Sequence, residues 1–390
     1  MSRRILLFFP HNFLELRHGC HRRCYELVRY FKARGFVVDV YSLENFENSW
    51  RDYTSDGLID SLFLYDFAEG AREHERRNRT SVRGLLNFLV RRANNTAIDH
   101  LHDYAFASMK KQFREIVERG AYDTVIIGYA YWAGLLDSIR DKQVTTVLDM
   151  TDFLTLNLFD AYEGKVNFSN LLEEEVRCVA LFDKVLCISD EELFFFSRLA
   201  KRPEYHYIPI SLPAPNTSRP SEYKYDILYI ASANPHNRVG MTWFFDKVYP
   251  LLSSSYRILV VGEIVQFVSP HANVSLIEHV DDLDSVYRNT RIAICPLLGG
   301  TGLKIKVVES LSYGMPVVCT RHGVVGFQSK INNGCSIADD PGAFAGAVEL
   351  LIENDAHYQQ QSMLATSYFR DTFDEEHVHL LLDRVFHPEK

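Results

Sequence analysis

Long hydrophobic runs are scarce in this sequence of 390 residues. No apolar stretch reaches the roughly twenty residues that a membrane-spanning helix needs. The apolar run at 5–9 is too short for the core of a signal peptide. An excess of positive charge is also missing, since 42 Lys and Arg stand against 51 Asp and Glu, a formal net charge of −9. We therefore expect neither a membrane-spanning protein nor one whose principal partner is nucleic acid.

Cysteine is sparse as well, with seven residues and no CxxC pair. An odd number of cysteines in a long chain is typical of a reducing compartment rather than of a disulfide framework. His18, Cys20, His21 and Cys24 lie close together, but no second matched pair completes a zinc-binding pattern. The sequence thus predicts a cytoplasmic protein without a resident metal, whose contact with a membrane would be peripheral.

Short apolar runs alternate with helical patterns from one end of the chain to the other. The runs at 4–9, 124–127 and 184–188 have no polar alternation, as in strands that are buried on both faces. Between successive runs, apolar residues recur at helical spacing. The pattern predicts an α/β protein built from doubly wound parallel sheets.

Five prolines between Pro203 and Tyr225 interrupt this alternation and indicate an extended connection between two domains. Because ligands bind at the carboxyl ends of parallel strands, two such domains would face each other across a cleft. The predicted parts are a Rossmann-like domain at 1–205, a Pro-rich linker at 206–224, a second Rossmann-like domain at 225–365, and a C-terminal helix at 366–390 that could pack back on the first domain.

A glycine-rich loop is the most informative segment. Gly299, Gly300 and Gly302 follow an apolar run and would let a ligand approach the backbone closely. A helix that begins near Gly302 would aim its free amide groups at an anion, most simply a phosphate. The spacing differs from the GxxxxGK[ST] loop of nucleoside triphosphatases and from the GxGxxG of dinucleotide-binding proteins. The alternative is a glycine-rich connection with a surface Lys–Glu pair.

Charged residues follow the loop directly. Lys304 and Lys306 place positive charge at a helix start, where it opposes the helix dipole unless something negative compensates it. A diphosphate would do so. Glu309 lies three residues after Lys306, on roughly the same helix face, and could accept hydrogen bonds from a ribose diol.

The run GGTGxKxKxxE at 299–309, with GxPVV at 314–318 and GxxG at 323–326, resembles the donor-binding stretch of GT-B glycosyltransferases of the retaining glycosyltransferase 4 group. Looser matches, such as His18-Gly19 at the start of the first helix, extend over most of the chain. The resemblance implies two Rossmann-like domains facing across a cleft, of which the first binds the acceptor and the second binds the nucleotide sugar. It also implies transfer of a glycosyl group from a nucleotide-diphosphate sugar to an acceptor hydroxyl with retention of configuration, in polysaccharide or glycoconjugate biosynthesis.

The resemblance also implies a role for particular residues. The donor phosphates and sugar would lie at Gly299, Gly300, Thr301 and Gly302. Lys304 and Lys306 would neutralise the phosphates, and Glu309 would hold the ribose. The remaining implied site residues are Gly19 in a loop near the phosphates, and His279, Val280 and Asp281 beside the base. Relatives also carry basic residues in the first loop of the second domain, where this sequence offers His236 and Arg238; Arg238 is the candidate. We consider His18 a candidate for accepting the acceptor's proton.

No cofactor is expected, because lysines, loop amides and a helix end can stabilise a departing diphosphate without metal. Asp282, part of a DxD triplet, is better explained as a helix cap. The donor would be UDP- or GDP-linked. Thr301 stands where many relatives carry a glutamate, so the donor sugar stays open.

The acceptor would be a glycan, a lipid-linked molecule or a protein. The Arg-rich segment from Arg72 to Arg92 could contact an anionic membrane from the cytoplasmic side, or it could be a solvated helical face. Two other functions are weighed against a transferase: a nucleotide-sugar 2-epimerase of the same fold, and a catalytically silent subunit that binds a nucleotide sugar.

Overall fold

The apolar runs of the first half form one parallel sheet in the computed structural model. The model describes residues 3–16, 18–46, 57–72, 100–215 and 222–387. Its strand order is β3-β2-β1-β4-β5-β6-β7, with every neighbouring pair parallel. The strands are β1 (Arg4–Phe8), β2 (Val37–Ser42), β3 (Ser61–Leu64), β4 (Thr124–Gly128), β5 (Thr145–Met150), β6 (Lys184–Cys187) and β7 (Glu204–Tyr207).

Helices cover this sheet between its strands. The helices whose bounds lie within the described residues are α1 (Gly19–Ala33), α2 (Ala107–Gly120), α3 (Leu154–Ala161), α4 (Phe168–Val179) and α5 (Asp190–Leu199). Local chemistry fixes two of their starts. Ser189 caps α5 by accepting the backbone N–H of Glu192. Glu175, buried in α4, accepts the backbone N–H groups of Leu154 and Thr155 at the start of α3.

The second half repeats the plan. Its strand order is β10-β9-β8-β11-β12-β13, and all pairs are again parallel. The strands are β8 (Tyr225–Ile230), β9 (Ile258–Val261), β10 (Val274–Ile277), β11 (Thr290–Cys295), β12 (Val317–Cys319) and β13 (Cys335–Ile337). The helices are α6 (Pro235–Trp243), α7 (Leu283–Arg288), α8 (Ile305–Ser312), α9 (Pro341–Glu353), α10 (Asp355–Thr372) and α11 (Glu375–Phe386).

Two units result from this arrangement, Met1–Ile208 and Pro209–Lys390. Each has its own core around strands that are apolar on both faces; in β1, for example, Ile5, Leu6 and Phe8 are fully buried. The predicted α/β class with two Rossmann-like, doubly wound domains is confirmed. The C-terminal helix predicted at 366–390 corresponds to the end of α10 and to α11.

Some predicted features lie outside the described residues. Of the Arg-rich segment only Arg72, exposed, is described; Arg76 to Arg92 are not. Residues 216–221 of the predicted linker are also outside. Within the described ranges, none of the helices combines the length and the apolar character that crossing a membrane requires.

Candidate functional site

Two loops of the second unit meet where the strand order reverses. The strands β8 and β11 are neighbours, with Ile227 opposite Ile292 and Leu228 opposite Ala293. The loop after β8 leads into α6, and the glycine-rich loop follows β11. Parallel strands bring their carboxyl ends to one edge, so both loops lie at the point where doubly wound sheets bind ligands.

The backbone of the glycine loop, residues 299–302, has a conformation that would be strained in residues other than glycine. Gly300 has φ 94° and Gly302 has φ 72°, both in the range that favours glycine. The ring of His236, in the first turn of α6, lies against the loop: a Cβ built on Gly299 would be 3.4 Å from its Nδ1, and one on Gly300 would be 3.4 Å from its Cγ and Cδ2. Glycine at these positions thus permits both the turn and the close approach of an imidazole.

The helix after the loop begins later than predicted. We expected its start near Gly302, but α8 begins at Ile305 with Lys304 as the N-cap residue. That prediction was wrong because the positive φ at Gly302 interrupts a helical path and Lys304 is itself extended, at φ −89° and ψ 92°. The loop is consequently three residues longer, and its carbonyl groups bond to a side chain.

Lys304 supplies that side chain. Its Nζ donates to the backbone oxygens of Gly300, Thr301 and Gly302 at 3.1, 2.8 and 2.8 Å. The residue is only 8% exposed. An ammonium has three N–H donors, and here three loop carbonyls accept from them. In this conformation Lys304 therefore braces the loop from within.

Lys306 connects α8 to α6, the helices that follow the two loops. Its Nζ donates to Asn237 Oδ1 at 2.7 Å and lies 5.8 Å from the centroid of the Tyr229 ring. Burial lowers the pKa of the Lys306 ammonium below its ordinary value. The amide of Asn237 in turn donates to the backbone oxygen of Ser232 at 3.0 Å. The Lys306 charge is thus held by Asn237 of α6, whose amide is fixed in turn by the loop after β8.

Glu309 lies one turn farther along α8, with its carboxylate held in place. The hydroxyl of Tyr287 donates to Glu309 Oε2 at 3.0 Å. Tyr287 is fully buried, and its ring stacks on that of Tyr313 at 4.8 Å. Burial and the charge of Glu309 raise the pKa of Tyr287, so this hydroxyl stays a donor. A carboxylate fixed in this way is suited to accept hydrogen bonds from a diol.

The residues predicted beside a base follow β10. The side chains of His279 and Asp281 are largely exposed and lie 3.4 Å apart between Nε2 and Oδ1. Val280 packs partly against the core. Asp282 caps α7 by accepting the backbone N–H of Ser285 at 3.1 Å, which fits the capping explanation of the DxD triplet.

Arg238 occupies a different place from His236. Its guanidinium stacks over the ring of Phe267, 4.4 Å from the centroid. The residue that the structure places against Gly299 and Gly300 is His236, the other basic residue of this loop and not the one chosen from the sequence. A usable signal was Pro235, since proline favours the first helical position and so puts the next residue in the first turn.

The predicted residues of the first unit lie at the start of α1. His18 is its exposed N-cap residue and Gly19 its first residue. The rings of His18 and His21 are 5.1 Å apart, and those of His21 and His11 are 5.9 Å apart. Burial lowers the pKa of His21, and the charges of the other two histidines lower it further. Within the described ranges no group of three or more His, Cys, Asp or Glu could hold a metal ion.

Sequence reasoning missed a second group at this edge of the first sheet. Tyr129 follows β4 directly and Asp152 lies two residues after β5. Cys20, in the first turn of α1, lies near the Tyr129 hydroxyl and helps to raise its pKa. The only signal was position, because each residue comes just after an apolar run that ends in a ligand-binding edge.

Part of the sequence is similar to known proteins. Residues 224–354 match the family described as Glycosyl transferases group 1. An uncharacterized 44.6 kDa protein in the cps region of Klebsiella pneumoniae is 24% identical over 221 residues, which are 50% of this chain and 54% of that protein. This chain thus spans about half the length of that curated relative.

Solved structures match over nearly the whole chain. HepE of Anabaena, in complex with UDP, is 11% identical, with a TM-score of 0.69 over 99% of each chain. Sucrose-phosphate synthase of Thermosynechococcus elongatus is 13% identical, with a TM-score of 0.67 over 99% of this chain and 98% of that one. At these identities the likeness concerns the fold. The segment 224–354 thus matches the group 1 glycosyl transferases, within a chain that has the GT-B fold.

Proposed function

We propose that this protein transfers a glycosyl group from a nucleotide-diphosphate sugar to an acceptor hydroxyl, with retention of anomeric configuration. One observation chiefly supports the proposal: the glycine loop follows β11 beside β8, and in the helix after it Lys306 donates to Asn237 and Glu309 accepts from Tyr287. These groups are those that a diphosphate and a ribose require, namely close backbone, positive charge and a fixed carboxylate.

In the reaction, the bond between the anomeric carbon and the diphosphate oxygen breaks, and the acceptor oxygen bonds to that carbon. Negative charge builds up on the departing diphosphate, so stabilising it is the main electrostatic task. In the proposed site the backbone of 299–302, the ammonium of Lys306 and the imidazole of His236 act on this charge. Glu309 orients the nucleoside, and His18 is the candidate group to accept the proton of the acceptor hydroxyl.

The relatives narrow the first substrates to test. The HepE structure contains UDP, so UDP-linked sugars come before GDP-linked ones. The Klebsiella relative is described as a protein of a cps region, which supports a role in building a polysaccharide or related glycoconjugate. The Arg-rich segment from Arg72 to Arg92 is a proposed site of contact with an anionic membrane.

Binding of nucleotide diphosphates tests the donor site. A ligand that binds only the native state raises the apparent melting temperature, so UDP and GDP can be screened by thermal shift and their Kd measured by calorimetry. We expect Glu309→Ala, and the double change Lys304→Ala with Lys306→Ala, to weaken binding while the fold is kept. Lys247→Ala, an exposed lysine of the same unit, is the matched control. Unchanged affinity in both variants would refute the assignment.

Incubation of the protein with a nucleotide sugar and no acceptor distinguishes a transferase from an epimerase and from a silent binding subunit. An epimerase would form a new nucleotide sugar under these conditions, whereas a transferase would form at most the free sugar and the nucleotide diphosphate. A silent binding subunit would bind the donor and give no product with any acceptor offered. Formation of a glycoside with an added acceptor supports the transferase.

A further inference from the structure

The carboxyl edge of the first sheet carries a stack of aromatic rings that the proposed donor site does not use. The ring of Phe9, which follows β1, stacks on Tyr129 with centroids 5.9 Å apart. Tyr129 stacks on Tyr131 at 5.3 Å and an interplanar angle of 11°. Tyr104 meets Tyr131 edge-on at 5.6 Å. Phe9 and Tyr129 are buried, Tyr131 is partly exposed and Tyr104 is 37% exposed, so the stack leads from the core to an accessible surface.

The backbone at this stack is strained. Tyr129 has φ 68° and ψ 132°, a combination that residues with a side chain rarely adopt. Its N–H donates to the backbone oxygen of Asp149 at 3.2 Å, which extends the pairing of β4 with β5 by one residue. The sheet thus holds the residue in its costly conformation. Such strain is concentrated at ligand-binding and catalytic positions.

A carboxylate lies at the same edge. Asp152 follows β5, the neighbour of β4, so it emerges beside the residues that follow Gly128. Burial raises the pKa of both Tyr129 and Tyr131, and the charge of Asp152 raises it further. The two tyrosine hydroxyls therefore stay protonated at neutral pH. The edge offers an accessible ring, hydroxyl donors and a charged acceptor close together.

We propose that Tyr131, Tyr104 and Asp152 form a subsite for a pyranose ring of the acceptor, an assignment that rests on the proposed transfer reaction. A pyranose has an apolar face of C–H groups that packs on an aromatic ring, and a rim of hydroxyls that donate to a carboxylate. A nucleoside diphosphate suits this edge poorly, because Asp152 repels its phosphates. A quaternary ammonium ion prefers the faces of several rings around it, whereas Tyr131 already has one face against Tyr129.

Saturation-transfer NMR on the full chain tests the subsite with defined probes. The probes are methyl glycosides of glucose, galactose, mannose and N-acetylglucosamine at millimolar concentration, with choline as the cationic comparison. We expect transfer to the ring C–H protons of at least one glycoside. In Tyr131→Leu this signal should fall by about fivefold, as for loss of one aromatic contact. Asp152→Asn should weaken it as well.

Three further variants guard against a general loss of structure. Tyr104→Phe keeps the ring contacts of Tyr104, which is 37% exposed, and should keep the melting temperature and the signal, whereas Tyr104→Leu should reduce the signal. Tyr162→Leu, an exposed tyrosine of the same unit outside the stack, should leave it intact. The proposal is overturned if no glycoside gives a signal, if Tyr131→Leu and Tyr104→Leu match the wild type, or if choline gives the stronger signal.

Parallel titrations with UDP and GDP keep this proposal separate from the proposed function. A protein that binds a nucleotide diphosphate but no glycoside refutes the sugar subsite and leaves the donor site standing. A protein that binds a glycoside, with loss in the stack variants, but neither nucleotide supports the subsite and refutes the transferase.

Discussion

Replacing Gly300 by alanine should weaken nucleotide binding by an amount that follows from the backbone. At φ 94° a residue with a Cβ carries a strain of about 1–3 kcal/mol. The new Cβ would also lie 3.4 Å from two atoms of the His236 ring, a contact with little room to spare. If the strain falls entirely on the loop conformation that binds, the Kd for the nucleotide diphosphate rises by about fivefold to 150-fold.

Calorimetric titration of Gly300→Ala with the better of UDP and GDP measures this change. Gly346→Ala is the matched control, because it lies within α9 and an added Cβ meets nothing within 4 Å. Alanine there should stabilise the helix by about 0.5–1 kcal/mol and leave the Kd unaltered. If Gly300→Ala binds as tightly as the wild type and melts at the same temperature, the loop conformation seen here is not needed for binding and the reasoning fails.

Three other changes have predictable effects. Lys304→Met removes the hydrogen bonds that brace the loop, and calorimetry should show that the affinities for UDP and UMP fall by a similar factor. If Lys304 instead bound the phosphates directly, the affinity for UDP would fall more than that for UMP. Burial raises the pKa of Glu175 to about 7 from an ordinary 4.5. The folded state therefore binds more protons between these values, and the free energy of unfolding should fall by about 2 kcal/mol from about pH 5 to about pH 8. In urea titrations, the free energy of unfolding of Glu175→Gln should fall less over this pH range than that of the wild type. Glu173→Gln, a change at an exposed residue of the same helix, should show the same fall as the wild type. Tyr287→Phe removes the donor to Glu309 Oε2 and should weaken nucleotide binding several-fold by calorimetry, while an unchanged Kd would argue against Glu309 as the ribose ligand.

The fold could be predicted because its information is local. Strands buried on both faces must be apolar throughout, and the runs at 4–9 and 124–127 have that property without reference to anything distant in the chain. The crossover helices follow from the same patterns. The parallel arrangement is then almost forced, since a helix between two strands brings the second strand back in the same direction.

The details of the site depended on long-range contacts and could not be read in this way. The start of α8 depends on the backbone conformation at Gly302 and on the loop carbonyls to which Lys304 donates. The spacing of residues in the sequence does not show either. The first loop of the second domain offers His236 and Arg238 as basic residues, and the sequence does not show that His236 is the one that lies against the glycines, because helix geometry decides it. Tyr129 and Asp152 become neighbours only because β4 pairs with β5, a fact of topology.

The lysines change the argument for a diphosphate. The sequence alone predicts a bound anion, because two cations at a helix start oppose the dipole. In the structure the ammonium of Lys304 donates to three carbonyls, and that of Lys306 donates to Asn237 Oδ1. Both charges thus have protein acceptors, and their presence alone does not demand a ligand. The case for a diphosphate rests instead on the backbone of the glycine loop and on its place between β8 and β11. The charge of Lys306 would stabilise an anion bound there, while Lys304 keeps its hydrogen bonds to the loop carbonyls. Replacing Lys306 and replacing Lys304 should therefore change the affinities for ligands with one and with two phosphates in different ways.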